Sequence, residues 1–471
     1  MAHPIIYWIR RDLRLYDNPA LHYAVHTGRA VIPLFIMDDQ EKNLGAAPKW
    51  RLGLGLEHLS SELEKIGSRI IFRSGNPKIV IEELITQTDA RNVCWNRLYD
   101  PVARQRDAVI KESLTERGIE ATSFAGALLF EPWTVSTGTG GYYRVYTPFW
   151  NSVKARDVQA EHPSPELINA PLDWPVSENI ADWKMGQAMG RGSHVVRPFV
   201  RLGQAAAVAR LALFLEKDVD YYPERRNIPS ILGTSGLSEN LALGEISPKQ
   251  CWHGGQKALF DGIQGAEIFL KEVVWREFAY HLMFHTPHIL DSNWKPDWDE
   301  FPWQTDENSP AVLAWKQGRT GVPFVDAAMR EMYVTGRMHN RGRMIVASYL
   351  TKHLLFHWKI GQKWFEQCLI DWDPASNAMG WQWSAGSGPD ATPYFRVFNA
   401  ETQLQKFDAK GLYLKQWIAE LHQSPSDTAK SFFDAIPTNW NLNPEMEYPN
   451  AIMSMKNGRE RALNAYANRG F

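Results

Sequence analysis

The sequence predicts an α/β domain with a parallel sheet at residues 1–130, an interdomain connector at 131–200 and an all-helical domain at 201–471. In the first part, short apolar runs alternate with amphipathic stretches, which is the pattern of strand–helix–strand units. The middle part has weak periodicity and is interrupted by prolines. In the last part, apolar residues recur at the i, i+3, i+4 spacing of helices, and strand-like alternation does not return.

Five short apolar runs in the first part are predicted to be buried strands: residues 4–9, 30–36, 69–72, 92–95 and 120–124. The stretches between them are predicted to be helices: 18–26, 50–66, 77–86 and 101–117. Strands that alternate with helices imply right-handed crossovers and therefore a parallel sheet. The first turn, residues 10–14, lacks the G-x-G-x-x-G fingerprint, so any ligand of this domain is expected to be held in another way.

The connector is marked by Pro163, Pro165, Pro171, Pro175 and Pro198. Beyond it, helices are predicted at 205–214, 266–284, 322–334, 341–358 and 363–370, because their apolar residues share one helical face. Neither an internal repeat nor a low-complexity tract is visible in the chain.

The composition is that of an ordinary globular protein, with 44% hydrophobic and 22% charged residues and a net charge of -2. Cys94, Cys251 and Cys368 are far apart and cannot all pair, which favours a reducing compartment and a cytoplasmic location. The first residues do not resemble a signal peptide, and no apolar run approaches the roughly 18–20 residues of a membrane span. We therefore expect no membrane association.

Tryptophan is unusually abundant, because 20 residues are tryptophan and ten of them fall between positions 275 and 383. A large aromatic core explains any single one of them. Their density suggests in addition a site that uses rings for base stacking or electron transfer.

Residues 315–363 carry nine Lys and Arg against two acidic residues, which indicates either a solvated face or a phosphate-binding surface. The interleaved aromatic residues favour a nucleic-acid surface.

Several local patterns in the helical part point to a bound cofactor. Residues 233–238 combine glycines with hydroxyl side chains ahead of a helix, which suits phosphate oxygens although such turns are common. Glu272 and Trp275 share a helical face, either as a core pair or as the wall of a binding site. Arg343 and Asp371 are predicted to form a buried ion pair beside a ligand. Metal-ligand spacing and a nucleophile with its base are not found, so a cofactor is expected to carry the chemistry.

Seven segments resemble the motifs of DNA photolyases and cryptochromes: residues 8–18, 234–238, 275–278, 320–330, 338–343, 381–383 and 390–399. They occur in the order of the family, and the resemblance extends from Tyr7 to about Asp408. It implies FAD, folded into a U shape, in the helical domain. It also implies a light-harvesting antenna chromophore near the α/β domain.

The resemblance assigns roles residue by residue. It implies that the FAD phosphates are bound by Tyr222, Thr234, Ser235, Gly236, Leu237 and Ser238. It places around the flavin and adenine the residues Glu272, Arg276, Asn340, Arg343, Asp371, Asp373 and Asn377, with Asn377 facing flavin N5. It assigns photoreduction of the flavin to an electron-transfer chain of Trp381, Trp358 and Trp303 that leads to the surface. It assigns contacts with the lesion or the DNA to Arg226, Glu272, Trp275, Asn340, Arg341, Met344, Trp383 and Gln403.

The activity implied by the resemblance is repair of cyclobutane pyrimidine dimers in UV-damaged DNA by a monomer. Excited reduced FAD donates an electron to the dimer, the cyclobutane ring splits, and the electron returns. Photolyases are themselves a standard example of enzymes that flip their target out of the duplex. The family's (6-4) enzymes place a histidine near position 340, so Asn340 favours cyclobutane dimers. The alternatives are a cryptochrome-type blue-light receptor and, with less support, a flavin or nucleic-acid-binding module without photochemistry.

Two local features bear on the cofactors. Gly236 stands where many relatives have a basic residue, which removes one contact with phosphate. Residues 45–50 resemble relatives whose antenna is a folate, methenyltetrahydrofolate, although a deazaflavin or a flavin nucleotide is also compatible.

Overall fold

The computed structural model describes residues 3–471, and its amino-terminal part is built on a five-stranded parallel sheet. The strands are β1 (Ile5–Ile9), β2 (Val31–Met37), β3 (Ile71–Ser74), β4 (Asn92–Asn96) and β5 (Glu120–Phe124). Their order is β3-β2-β1-β4-β5, so the first strand is central and the topology is doubly wound. In register, Ile5 of β1 lies opposite Val31 on one side and Asn92 on the other.

Apart from the strands, the regular elements are almost all helices, which are joined by loops. The first five are α1 (Pro19–His26), α2 (Asp39–Lys42), α3 (Ala46–Lys65), α4 (Pro77–Thr88) and α5 (Pro101–Glu116). The next are α6 (Tyr146–Val153), α7 (Gly192–Val196), α8 (Gly203–Lys217), α9 (Tyr222–Arg225), α10 (Ser238–Ala242), α11 (Pro248–Phe260) and α12 (Gly265–His285). The remainder are α13 (Pro310–Lys316), α14 (Pro323–Thr335), α15 (Asn340–Ser348), α16 (Trp358–Cys368), α17 (Pro374–Ala385), α18 (Ala400–Phe407), α19 (Leu412–Trp417), α20 (Asp427–Ala435) and α21 (Met455–Ala467).

Three of the five helices of the α/β domain begin where the sequence provides a cap followed by proline. Asn18, Asn76 and Asp100 accept hydrogen bonds from backbone N–H groups in the first turns of α1, α4 and α5. A proline follows each cap, which suits the first helical position because that N–H has no helical partner. These signals explain why the predicted helices agree with the structure to within a few residues.

The sheet is buried on both faces, so its central strands are apolar throughout. Ile5, Tyr7 and Ile9 pack in one cluster with residues of α1 and α3, whereas Ile6 and Trp8 pack in another with residues of α4 and α5. This two-sided burial is typical of parallel sheets. The predicted fold class, a parallel α/β domain followed by a helical domain, is confirmed.

One predicted helix is wrong. The stretch 341–358 was expected to be a continuous helix, but α15 ends at Ser348 and is followed by a π-helical turn at Tyr349–His353. Leu355 has a φ of +56°, and Phe356 pairs as an isolated bridge with Gln304. The chain restarts as α16 because the His357 side chain accepts a hydrogen bond from Lys359 N at 3.2 Å. A contact distant in sequence therefore interrupts a locally helical pattern.

The segment 131–200 runs along the α/β domain and is bonded to it. Val31 N donates to Asn169 O at 2.9 Å, and Glu178 N donates to Phe72 O at 2.8 Å. The segment also contains α6, which packs against α12 of the helical domain. The division of the chain at residues 130 and 200 stays a prediction.

Among residues 3–471, no single helix combines the length and the apolar composition needed to cross a membrane. One bent pair, Gly192–Phe199 with Gly203–Lys217, meets those two requirements together.

Candidate functional site

Helix α12 presents a carboxylate and an indole on one face. Glu272 and Trp275 are three residues apart, and both side chains are partly exposed. Arg226 Nη1 lies 2.6 Å from Glu272 Oε1, and the same guanidinium lies 5.3 Å from the ring of Tyr222. The structure thus brings together a cation, a hydrogen-bond acceptor and a stacking plane, all from residues that the sequence assigned to the lesion or the cofactor.

The following residues of α12 connect the two domains. Arg276 Nη1 donates to Ala127 O at 2.8 Å, and Tyr280 OH donates to the carboxylate of Asp373. Asp373 also caps α17, because its Oδ1 accepts from Ser376 N at 2.8 Å. Burial raises the pKa of Glu277, which accepts two backbone N–H groups of the α/β side, to about 7. Arg276 and Asp373 therefore hold the junction beside the candidate cofactor site.

The ion pair predicted between Arg343 and Asp371 is present. Arg343 Nη2 lies 2.9 Å from Asp371 Oδ1 and 2.7 Å from Oδ2, and Arg343 Nε donates to Met338 O. The aspartate side chain is 4% exposed and that of the arginine is 29% exposed. The guanidinium therefore has one edge fixed on the protein and another open to a ligand.

His339 Nε2 and Trp381 Nε1 are among the buried side-chain atoms that have no hydrogen-bond partner among residues 3–471. Burial, together with Arg341 and Arg343, lowers the pKa of His339 to about 4, so its imidazole is neutral. Asn340, the first residue of α15, is exposed. A neutral imidazole and an exposed amide thus lie at the start of α15, one turn before Arg343.

The predicted inner tryptophans lie against one helix. Trp358 begins α16 and donates from Nε1 to Asn293 Oδ1 at 2.8 Å. Three residues later, Gly361 provides the space for the Trp381 ring, because a side chain at 361 would collide with the indole. Asn377 donates from Nδ2 to Gln362 O at 3.1 Å, so it belongs to the same contact between α16 and α17.

The third predicted tryptophan does not reach the surface as expected. Trp303 is only 8% exposed, and its Nε1 donates to Thr351 O at 3.3 Å. The His357 ring lies 5.1 Å from Trp303 and 5.3 Å from Trp358. On its other side, Trp303 stacks on Trp298 at 5.5 Å. The predicted chain therefore ends in a packed aromatic cluster, because Phe301 and Tyr394 cover these rings.

The predicted phosphate loop lies just before the short helix α10. Gly236 has a φ of +59°, a conformation that favours glycine, and its carbonyl accepts a hydrogen bond from Arg210 of α8. In the loop, Thr234 and Ser238 are exposed, Ser235 and Gly236 are half-buried, and Leu237 is buried, as is Tyr222. A guanidinium from another helix thus stands beside the position where the basic residue of many relatives is missing.

Glu239, which is fully buried, lies behind this loop and is surrounded by three arginines. Its carboxylate pairs with Arg51, Arg210 and Arg337 from three separate elements. Burial, with Arg337 as the next cause, lowers the pKa of Arg210 to about 10. Cations therefore outnumber this carboxylate at the back of the loop. Sequence reasoning missed Arg210 because it lies 26 residues before Gly236 and carries no local signal.

Three further predicted contacts make no bond with the Glu272 group in the part of the chain that the structure describes. Trp383, Met344 and Gln403 are all partly buried. The carbonyl of Trp383 accepts from Thr392 N at 3.2 Å, and Gln403 Oε1 has no partner among the described residues. Within residues 3–471, no hydrogen bond or ring contact joins these three side chains to Glu272. Their grouping around a lesion stays a prediction.

Comparison with known proteins decides the family. Residues 5–168 match the model described as DNA photolyase, and residues 269–468 match the FAD binding domain of DNA photolyase. The chain is 43% identical to the deoxyribodipyrimidine photo-lyase of Agrobacterium fabrum, over 98% of both proteins. The chain belongs to the DNA photolyase and cryptochrome family.

Two solved structures of this photolyase family have the same fold. A bacterial class III photolyase from Agrobacterium tumefaciens shares 42% identity with a TM-score of 0.91, covering 99% of this chain and 98% of that one. A cryptochrome from Synechocystis shares 26% identity with a TM-score of 0.84, covering 99% of this chain and 100% of that one. Both branches of the family are therefore similar to this chain over its whole length.

Family membership implies FAD, and the residues present fit it. Trp381 Nε1 is a buried donor without a hydrogen-bond partner among residues 3–471. Gly236 allows close backbone approach, and Arg210, although paired with Glu239, adds a positive charge suited to phosphate. The fit therefore rests on the unpartnered indole N–H of Trp381, the open edge of Arg343 and the cation beside the phosphate loop.

In this photolyase-family chain, most of the cations at residues 315–363 do not stay unpaired on one face, and a nucleic-acid surface there stays a prediction. Five of the nine cations pair with carboxylates: Arg319 and Arg330 with Glu420, Arg337 with Glu239, Arg343 with Asp371, and Lys363 with Glu307. Lys352 is fully buried, and burial lowers its pKa to about 7. A count of charges within residues 315–363 does not include the carboxylates from distant segments that pair with these cations. Among the described residues, Arg341 lacks a carboxylate partner and bonds Asn227 instead.

Proposed function

We propose that this chain is a deoxyribodipyrimidine photolyase that binds FAD and uses light to split cyclobutane pyrimidine dimers in UV-damaged DNA. The observation that carries the proposal is that Glu272 and Trp275 lie on one partly exposed face of α12, in a chain 43% identical to a curated photo-lyase. A carboxylate acceptor beside an indole suits a pyrimidine pair, which has N–H edges and flat faces.

FAD, when bound and reduced, supplies the electron that opens the cyclobutane ring on illumination. Glu272 accepts hydrogen bonds from the pyrimidines, and Trp275 and Trp383 pack against them. Arg226, Asn340, Arg341, Met344 and Gln403 complete the lesion and DNA contacts. Releasing Arg226 from Glu272 frees the carboxylate for the lesion and the guanidinium for a phosphate.

The cofactor residues hold and orient FAD. Residues Tyr222, Thr234, Ser235, Gly236, Leu237 and Ser238 bind the phosphates. Arg343, one edge of which is bonded to Asp371, and Asn377 would hold the flavin, and Asp373 and Arg276 would support the adjoining junction. Trp381, Trp358 and Trp303 would supply a path for electrons to an oxidised cofactor.

We also propose a folate antenna, with a deazaflavin as the alternative. The support is a small cleft between the domains lined by Arg10, Arg11, Phe35, Glu41 and Trp372, among others. Glu41 Oε2 and Trp372 Nε1 are buried there without a partner among residues 3–471, and burial next to Asp38 raises the pKa of Glu41. Mass spectrometry of chromophores extracted from the purified protein should find a pterin, whereas a deazaflavin mass would contradict the folate.

The function is tested by illuminating the reduced protein with an oligonucleotide that contains one thymine dimer. Repair in light and none in the dark is expected. Flavin photochemistry without repair would favour a blue-light receptor. This is the second candidate function because the chain is also similar to a cryptochrome. The absence of flavin after purification would contradict both. The monomeric state and the cytoplasmic location stay predictions.

A further inference from the structure

The indole of Trp275 is covered on one face by Tyr146. The two ring centroids are 3.7 Å apart and the planes differ by 6°, so the rings are stacked in parallel. Tyr146 is the first residue of α6, which belongs to the segment between the domains, and it is 129 positions away from Trp275 in the sequence. The remaining exposure of Trp275 therefore comes from its edge and its opposite face.

Tyr146 is itself fixed at both ends. Its hydroxyl donates to Lys271 O at 2.6 Å, one turn before Trp275 on α12. Its backbone N–H donates to Asp390 Oδ2 at 3.1 Å, and this carboxylate caps α6 in place of the side chain of Val145, which makes no capping bond. Phe278 packs edge-on against both stacked rings. Tyr146 is 8% exposed, so the ring that supports Trp275 is itself buried and held by hydrogen bonds at both ends.

We propose that Tyr146 is a positioning residue, which closes one face of Trp275 and fixes the indole plane so that a flipped pyrimidine stacks only on the opposite face. This inference rests on the proposed function, because it concerns the same lesion site. A ring held in place before binding loses little freedom when the base arrives, which favours affinity. Covering the second face also prevents an undamaged base from stacking there.

The test compares two substitutions at this position in the full-length, flavin-loaded protein. Tyr146→Met keeps apolar volume but removes the planar ring, whereas Tyr146→Phe keeps the ring and removes only the bond to Lys271 O. Dissociation constants are measured for an oligonucleotide with one thymine dimer and for its undamaged counterpart. We expect Tyr146→Met to weaken dimer binding about three- to tenfold, the range for one aromatic stack, with little change for undamaged DNA. Tyr146→Phe should bind like the wild type.

A control variant separates positioning from packing. Tyr466→Leu removes a different stacked ring, which lies 5.1 Å from Tyr394 at 12° in another aromatic cluster. It should leave the preference for the dimer unchanged. A purely structural role of Tyr146 predicts that Tyr146→Met weakens binding to both oligonucleotides equally or changes neither, and either result would overturn the inference.

A second variant covers the case in which Tyr146→Met does not fold. Asp390→Ala leaves both rings in place but frees the first turn of α6, so a smaller loss of dimer preference is expected. An unchanged preference in Asp390→Ala would then overturn the inference. A wild-type protein that does not distinguish the dimer from undamaged DNA would contradict the proposed function instead.

Discussion

At the scale of single residues, Glu272 is the most informative side chain. Glu272→Ala should lower the yield of repair per absorbed photon while FAD remains bound. Losing the acceptor for a buried donor costs about 1–3 kcal/mol. The matched control is Glu267→Ala on the same helix, because Glu267 pairs only with the partly exposed Lys271. Equal yields for wild type and Glu272→Ala would contradict the role.

The buried carboxyl of Glu277 gives a prediction for stability against pH. Burial raises its pKa in the folded protein to about 7, so folding favours the protonated form. The contribution of Glu277 to the free energy of unfolding is fully present below a pH of about 4.5, the ordinary glutamate pKa. This contribution is lost as the pH rises through about 7. Glu277→Gln cannot titrate. Wild type should therefore lose about 3 kcal/mol relative to this variant between pH 4.5 and 8, measured by urea unfolding. A constant difference would contradict the raised pKa.

At the scale of elements, the predicted electron path runs through the contact between α16 and α17 and then to Trp303. Trp303→Phe should block photoreduction of oxidised FAD in the presence of an external reductant, because phenylalanine keeps most of the volume but is much harder to oxidise. Repair by chemically pre-reduced protein should survive. Trp417→Phe is the control, since Trp417 is also buried and packs on Tyr413, outside the predicted path. Photoreduction at the wild-type rate in Trp303→Phe would eliminate this path.

The start of α15 is expected to contact the DNA backbone through Arg341. Affinity for damaged duplex should fall steeply with salt, and Arg341→Ala should reduce the slope of log affinity against log salt by about 0.9, the contribution of one phosphate. Lys363→Ala, from the same stretch of sequence but paired with Glu307 on the surface, should leave the slope unchanged. An unchanged slope in Arg341→Ala would indicate that DNA binds to another surface of the protein.

Much of the fold could be predicted because its signals are local. Asn18 and Asp100 cap helices whose apolar spacing was visible, and the motif of Arg343 and Asp371 predicted a real ion pair. What could not be predicted depends on contacts distant in sequence. The pairing of Phe356 breaks a helix, and Tyr146 reaches Trp275 from another element. Carboxylates such as Glu420 and Glu239 neutralise the cationic stretch from outside it.

At the scale of the whole molecule, buried charges hold the domains together. Arg51 of α3 pairs with Glu245 at 2.5 Å and also with Glu239, and Arg14 donates to Gly244 O at 2.9 Å. Breaking one partner of a buried pair is strongly destabilising. The α/β domain is therefore fixed relative to the phosphate loop, as energy transfer from the proposed antenna would require.

The central claim is light-driven repair in which the electron returns, and the number of dimers repaired per protein molecule tests it most directly. Reduced protein is mixed anaerobically with excess dimer-containing oligonucleotide, with no further reductant, and restored thymines are counted under continuous light and in the dark. We predict that many dimers are split per protein in light and none in the dark, with the flavin still reduced afterwards. At most one repaired dimer per protein, or equal yields in light and dark, would contradict the account.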